Sequence, residues 1–241
     1  MMEWVLPPRS LQEYEDLVDE LKQKGLHDRA KHFLKGGFWR SFRAKYPESN
    51  EMYAKMMHVS DKVERIKDRD GTLEAARTEL YRGQCNCPYW HGIFGGLYLP
   101  HLRHAVYQAL IRAENLADRN LISRKGWVTA EVTDYNFDGR HEVLLSSDTL
   151  SAYLIPHYGG HLFELDFRPK AVNLTAGLSR REEAYHRRIL QHRGTDTEKV
   201  ASIHETVHFK SDGLDRMLQY DRYKHCLLYT SPSPRDLSTS R

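Results

Sequence analysis

The segment Gln84-Cys85-Asn86-Cys87-Pro88-Tyr89-Trp90-His91 sets two aromatic rings beside amides and an imidazole, and it runs on through paired glycines at Gly95-Gly96 to Tyr98. Sugar rings stack their apolar C–H faces on Trp and Tyr, while amide and imidazole groups bond the hydroxyls. Glycines without a Cβ permit close approach of the backbone. The residues that could line such a site are Tyr89, Trp90, His91 and Asn86. The same composition also suits a structural loop whose rings fill a core and whose histidine bonds a carbonyl. Residue chemistry alone leaves both readings open.

A second constellation is Asp134-Tyr135-Asn136-Phe137-Asp138-Gly139, followed by Glu142. Oxygen ligands at alternate positions and then Gly match the opening of a calcium loop. Asp134, Asn136, Asp138 and Glu142 are therefore candidate ligands for a structural calcium; no other cofactor is expected. The match ends at the twelfth position, where Leu145 replaces the bidentate Glu. The alternative is a hairpin whose Asx residues only shape the turn.

Two further patterns carry less. His204-Glu205-Thr206-Val207-His208 has the zinc-protease spacing, which works only on a helix. Its flanks alternate like a strand, and there the histidines would stand about 13 Å apart, too far for one zinc. Glu164 and Asp166 could form a glycosidase carboxylate pair. The alternation of Leu162-Phe163-Glu164-Leu165-Asp166-Phe167 instead predicts that they face solvent from one side of a strand. No Ser-His-Asp elbow, phosphate loop or dinucleotide fingerprint is present, and no catalytic residue is assigned.

The elements that must position these residues divide by hydrophobic period. Up to about residue 120 the period is helical. Ser10 with Glu13 predicts a capping box, followed by Leu11, Tyr14, Leu17, Val18 and Leu21 at helical spacing. Further helices are expected after Ser49, with the stripe Met52, Met56, Val59, Val63 and Ile66, near Thr72, and from Pro100. From Gly126 the period becomes two. Strands are expected over Trp127–Thr133, Glu142–Ser146, Ala152–Pro156 and His161–Phe167, with Asp138-Gly139 as a turn. The fold class is α+β: an N-terminal helical bundle (1–120) followed by an incomplete antiparallel β-sandwich (121–225). Residues 226–241 are Ser-, Pro- and Arg-rich, and they are expected to be a disordered, non-native tail.

Composition narrows the function classes. The 241 residues carry a net charge of +3, too little for a nucleic-acid surface. No stretch reaches the roughly 18 apolar residues of a membrane span. Three cysteines make no disulfide framework, and a cytoplasmic location is expected. Aromatic content of 11% together with 14 histidines leans toward a polar, ring-shaped ligand.

At the level of longer motifs, Tyr81-Arg82-Gly83-Gln84 through Tyr98-Leu99-Pro100-His101-Leu102-Arg103 resembles the region after the catalytic barrel in glycoside hydrolase family 57, the α-amylase and 4-α-glucanotransferase family. Gly36-Gly37-Phe38-Trp39-Arg40 and Tyr46-Pro47-Glu48-Ser49-Asn50 resemble its central helical domain. Gly159-Gly160-His161-Leu162-Phe163-Glu164-Leu165-Asp166 and Arg180-Arg181-Glu182-Glu183-Ala184-Tyr185-His186 resemble its C-terminal β-sandwich. The resemblance implies an α-1,4-glucan or maltooligosaccharide as partner, with no nucleic acid and no membrane. It also implies a retaining mechanism run by a Glu and an Asp on a barrel that precedes this segment, so the chain reads as a fragment without turnover of its own. Tyr89, Trp90, His91 and Asn86 would then stand near the substrate. Cys87 and Pro88 depart from the acidic and small residues more usual there. A stand-alone carbohydrate-binding module is the alternative.

Overall fold

The computed structural model describes residues 3–67, 70–91, 95–184, 186 and 218–221. The expected strand around His204–His208, and with it the zinc-protease pattern, lies outside these residues, as do Cys226 and the tail. The chain forms two compact units, Met1–Pro47 with Ser179–Arg222, and Glu48–Leu178 with Tyr223–Arg241. A helical region is followed by an antiparallel sheet, so the class is α+β. No helix among the described residues is long and apolar enough to cross a membrane.

The first unit holds α1 (Pro8–Gln23), α2 (His27–Ala30) and α3 (Trp39–Lys45). Helix α1 starts on Pro8, with Pro7 as its cap and no side-chain cap bond. The expected capping box at Ser10 is therefore absent. Pro fixes a helical φ and lacks the N–H that would be orphaned at a first turn, so it replaces the box. The core is aromatic. Phe42 stacks on Trp39 at 5.8 Å, meets Trp4 edge-on at 5.7 Å and touches Tyr46 at 4.6 Å. Lys45 and Glu183 pair at 2.8 Å, and Tyr46 donates its hydroxyl to Glu183 at 2.6 Å.

The second unit holds most of α4 (Pro47–Glu64), then α5 (Thr72–Gly83) and α6 (Pro100–Leu121). Helices α5 and α6 pack closely because Gly83 has no side chain; a Cβ there would run into Leu110. Five strands follow in a meander ordered β1-β2-β3-β4-β5, all antiparallel: β1 (Val128–Thr133), β2 (Glu142–Ser147), β3 (Leu150–Ile155), β4 (His161–Phe167) and β5 (Val172–Asn173). Strand β1 was expected to be half-buried, but it is exposed almost throughout, with Val128 78% and Val132 65% accessible.

Strand β4 reverses the expectation from alternation. Val143, Leu145, Ala152, Leu154, Leu162, Leu165 and Phe167 lie on the face that is only partly covered or exposed. The face buried against α4 and α6 carries apolar Leu144 and Ile155 together with Glu142, Ser146, Ser151, Tyr153, Glu164 and Asp166. Glu164 and Asp166 are thus fully buried and not on a solvent face. A register shift between Tyr153 and Leu154 also turns Phe163 inward beside Glu164. Alternation reports which residues share a face; which face is covered depends on what packs there.

Candidate functional site

The candidate saccharide loop bridges α5 and α6. Pro88 opens a 3-10 turn at Cys87–Tyr89, and a second turn spans Gly96–Tyr98. The two are tied by the Leu97 amide donating to the Trp90 carbonyl at 2.8 Å. Gly96 has φ +42°, and a Cβ there would collide with the carbonyl oxygens of Trp90 and Cys87. Arg103 of α6 donates to the Leu97 carbonyl at 2.5 Å.

Tyr89 anchors this loop from inside. Its ring is buried, its hydroxyl donates to the Gly83 carbonyl at 2.6 Å, and its own carbonyl accepts from Ser49 at 2.5 Å. Burial pushes its phenol well above the usual range, so it remains a neutral donor. Trp90 and His91 are half-buried, and the His91 ring tilts against Tyr98 at 4.7 Å. Asn86 is exposed, as are Cys85 and Cys87. The structure therefore offers Trp90, His91 and Asn86 toward solvent and holds Tyr89 beneath them.

The candidate calcium loop is shaped by bonds to its own backbone. Asp134 accepts from the amides of Asp138 at 3.0 Å and Gly139 at 3.1 Å. Asn136 Oδ1 accepts from the Asp138 amide at 3.0 Å, and Asp138 accepts from the Arg140 amide at 2.8 Å. Buried Glu142 accepts from the Tyr135 and Asn136 amides at 3.0 and 3.2 Å. Among the described residues no group of three or more His, Cys, Asp or Glu side chains is gathered to hold a metal ion. The four oxygen-bearing residues close a turn, each accepting backbone amides.

Among the described residues a dense titratable cluster joins α4 and α6 to β4, and sequence reasoning overlooked most of it. Lys55, fully buried, places Nζ 2.8 Å from each of Glu114, Glu164 and Asp166, and 4.6 Å above the Tyr153 ring. Lys62 pairs with Glu114 at 2.7 Å and Asp118 at 3.1 Å. Arg168 pairs with Asp118 at 2.6 Å. Three cations thus meet four carboxylates, one negative charge in excess. Burial drives the Glu164 carboxyl well above the carboxylate range; Lys55 opposes this and neighbouring Asp166 reinforces it. Burial alone would raise Glu114 too, yet Lys55, Lys62 and Arg168 hold it well below. Burial would lower Lys55, and Asp166, Glu114 and Glu164 keep it charged.

These carboxylates are fully buried and converge on an ammonium. A legible signal existed: Lys55 is three residues from Met52 and four from Val59, on the buried stripe of its own helix.

Comparison with known proteins gives a coherent picture. The family description "Alpha-amylase/4-alpha-glucanotransferase, middle domain" matches residues 37–117, and the corresponding C-terminal description matches residues 134–241. Alpha-amylase 1 of Dictyoglomus thermophilum is 44% identical over 93% of this chain and 31% of its own length. The 4-alpha-glucanotransferase of Thermococcus kodakarensis is 40% identical over 95% of this chain and 33% of its own length. The crystal structure of 4-alpha-glucanotransferase from Thermococcus litoralis superposes with a TM-score of 0.65 at 39% identity, covering 76% of this chain and 26% of that one. The chain spans about a third of the length of the curated relatives it matches.

Proposed function

Because this chain belongs to the α-amylase/4-α-glucanotransferase family, we propose that it forms the middle and C-terminal part of an enzyme that cleaves or transfers α-1,4-glucan with retention of configuration. In that reading the nucleophilic Glu and the acidic Asp lie on a barrel outside these 241 residues. The nucleophile forms a glycosyl-enzyme and the acid protonates the departing oxygen. Water or a sugar hydroxyl then completes hydrolysis or transfer.

The chain's part is to wall the substrate cleft with the Cys87–Tyr98 loop. One observation carries this. Tyr89 anchors the described part of the loop from below while Trp90 and His91 stay half-buried at its surface, an aromatic and imidazole lip that suits a sugar ring. The buried carboxylates support the same reading, since each is paired with Lys55, Lys62 or Arg168 within the fold. Work in the cytoplasm is supported by three cysteines that build no disulfide framework.

A glucanotransferase assay on the purified 241-residue chain is expected to show no turnover. Activity above background contradicts the assignment. In the barrel-containing enzyme, Trp90→Ala is expected to raise KM for maltooligosaccharides; an unchanged KM removes the lip from the site.

A further inference from the structure

We propose that a pocket between α6 and the β2–β3 turn is a second saccharide site that takes one sugar ring at the end of a glucan chain. The choice of glucan rests on the family reading above; the pocket itself rests on geometry.

The cavity has a volume of about 140 Å³ and is lined by Asn115, Asp118 and Arg119 of α6, by Trp127, by Asp148 and by Arg168. That is below the roughly 300–1,000 Å³ of pockets for drug-sized ligands, so it suits one ring and not an oligosaccharide. Its inner wall is preorganised. Asp118 and Arg168 are each 3% exposed and bonded to one another at 2.6 Å. The Arg168 guanidinium also bonds Ser151 at 3.2 Å and lies 5.1 Å over the Trp127 ring. Its Nε–H is buried and finds no acceptor among the described residues, an unusual state for a charged donor. Asn115 donates to the Arg168 carbonyl at 3.0 Å, which uses one of its two amide hydrogens. Asp148 accepts from Gly126 at 3.1 Å and from Thr149 at 3.1 Å, which leaves carboxylate lone pairs for a further donor.

The charge pattern selects the ligand. An anion would face Asp118 and Asp148, and a cation would face Arg119 and Arg168. A neutral polyol satisfies both, because each hydroxyl donates to a carboxylate while accepting from a guanidinium or amide. Trp127 adds an apolar wall for the C–H side of a ring.

The test is maltose binding to the purified 241-residue chain, followed by calorimetry and by the indole N–H resonance of Trp127, assigned with Trp127→Phe. Arg119 and Asp148 are exposed and lie outside the buried Lys55 cluster, so Arg119→Ala/Asp148→Ala is expected to keep the fold, checked by far-UV circular dichroism. Maltose should shift the Trp127 resonance, and the double variant should weaken the affinity read from that shift at least about tenfold. An unshifted Trp127 signal, unchanged affinity in the double variant, or uptake of inorganic phosphate in place of sugar overturns the pocket. Binding that depends on Trp90 alone overturns the pocket and leaves the proposed function standing.

Discussion

Lys55 Nζ on α4 lies 2.8 Å from Asp166 Oδ2 on β4, and neither side chain has any solvent exposure. A helix and a sheet strand are thus joined by an ion pair in the interior. Removing one member of such a pair strands a charge in a medium that cannot solvate it, a loss of about 3–5 kcal/mol, whereas removing both can be nearly neutral. Lys55→Met is therefore expected to lower unfolding free energy by about that amount. Lys55→Met combined with Asp166→Leu and Glu114→Leu should recover much of the loss. Urea denaturation measures both; a single variant as stable as the parent refutes the linkage.

His58 predicts a pH dependence. Burial lowers its imidazole from 6.5 to about 3, with Glu114 at 3.7 Å opposing and Lys62 and Lys55 reinforcing. A depressed histidine is neutral in the folded chain but protonates when unfolded. Stability is then full above pH 6.5 and drains as pH falls toward about 3. His58→Phe keeps a ring against Tyr135 and Tyr153 and removes the titration. Its stability profile should be flatter by a few kcal/mol, in order of magnitude, across that window. A profile parallel to that of the parent contradicts this.

Tyr89→Phe removes the hydroxyl that caps the Gly83 carbonyl and should lower stability by about 1 kcal/mol. Gly96→Ala should cost more, because φ +42° and the two carbonyl oxygens leave no room for a Cβ. Thermal unfolding of the two variants ranks them; Gly96→Ala equal to the parent would mean that the loop is looser than the structure shows.

The Asp134–Glu142 turn should keep its shape without a cation, since its carboxylates already accept backbone amides. Calcium and chelator are both expected to leave the unfolding midpoint unchanged. A midpoint that rises with calcium restores the four oxygen-bearing residues as ligands. Glu142→Leu, which withdraws the acceptor from two amides, should destabilise the turn in either case.

Much of this protein was legible from its residues. The helices from Ser49, Thr72 and Pro100 and the four main strands follow from local periodicity, turn chemistry and proline placement, which act between near neighbours in the chain. The family likewise shows in contiguous motifs such as Tyr89-Trp90-His91. Tertiary structure alone decided which face of the sheet is covered and what the buried acids do. Alternation placed Glu164 and Asp166 on one side of β4, but their cation is Lys55, which lies more than a hundred residues away. Charge pairing across that separation has no local signature, because the free energy that keeps an acid out of water exists only once its counter-charge has been folded against it.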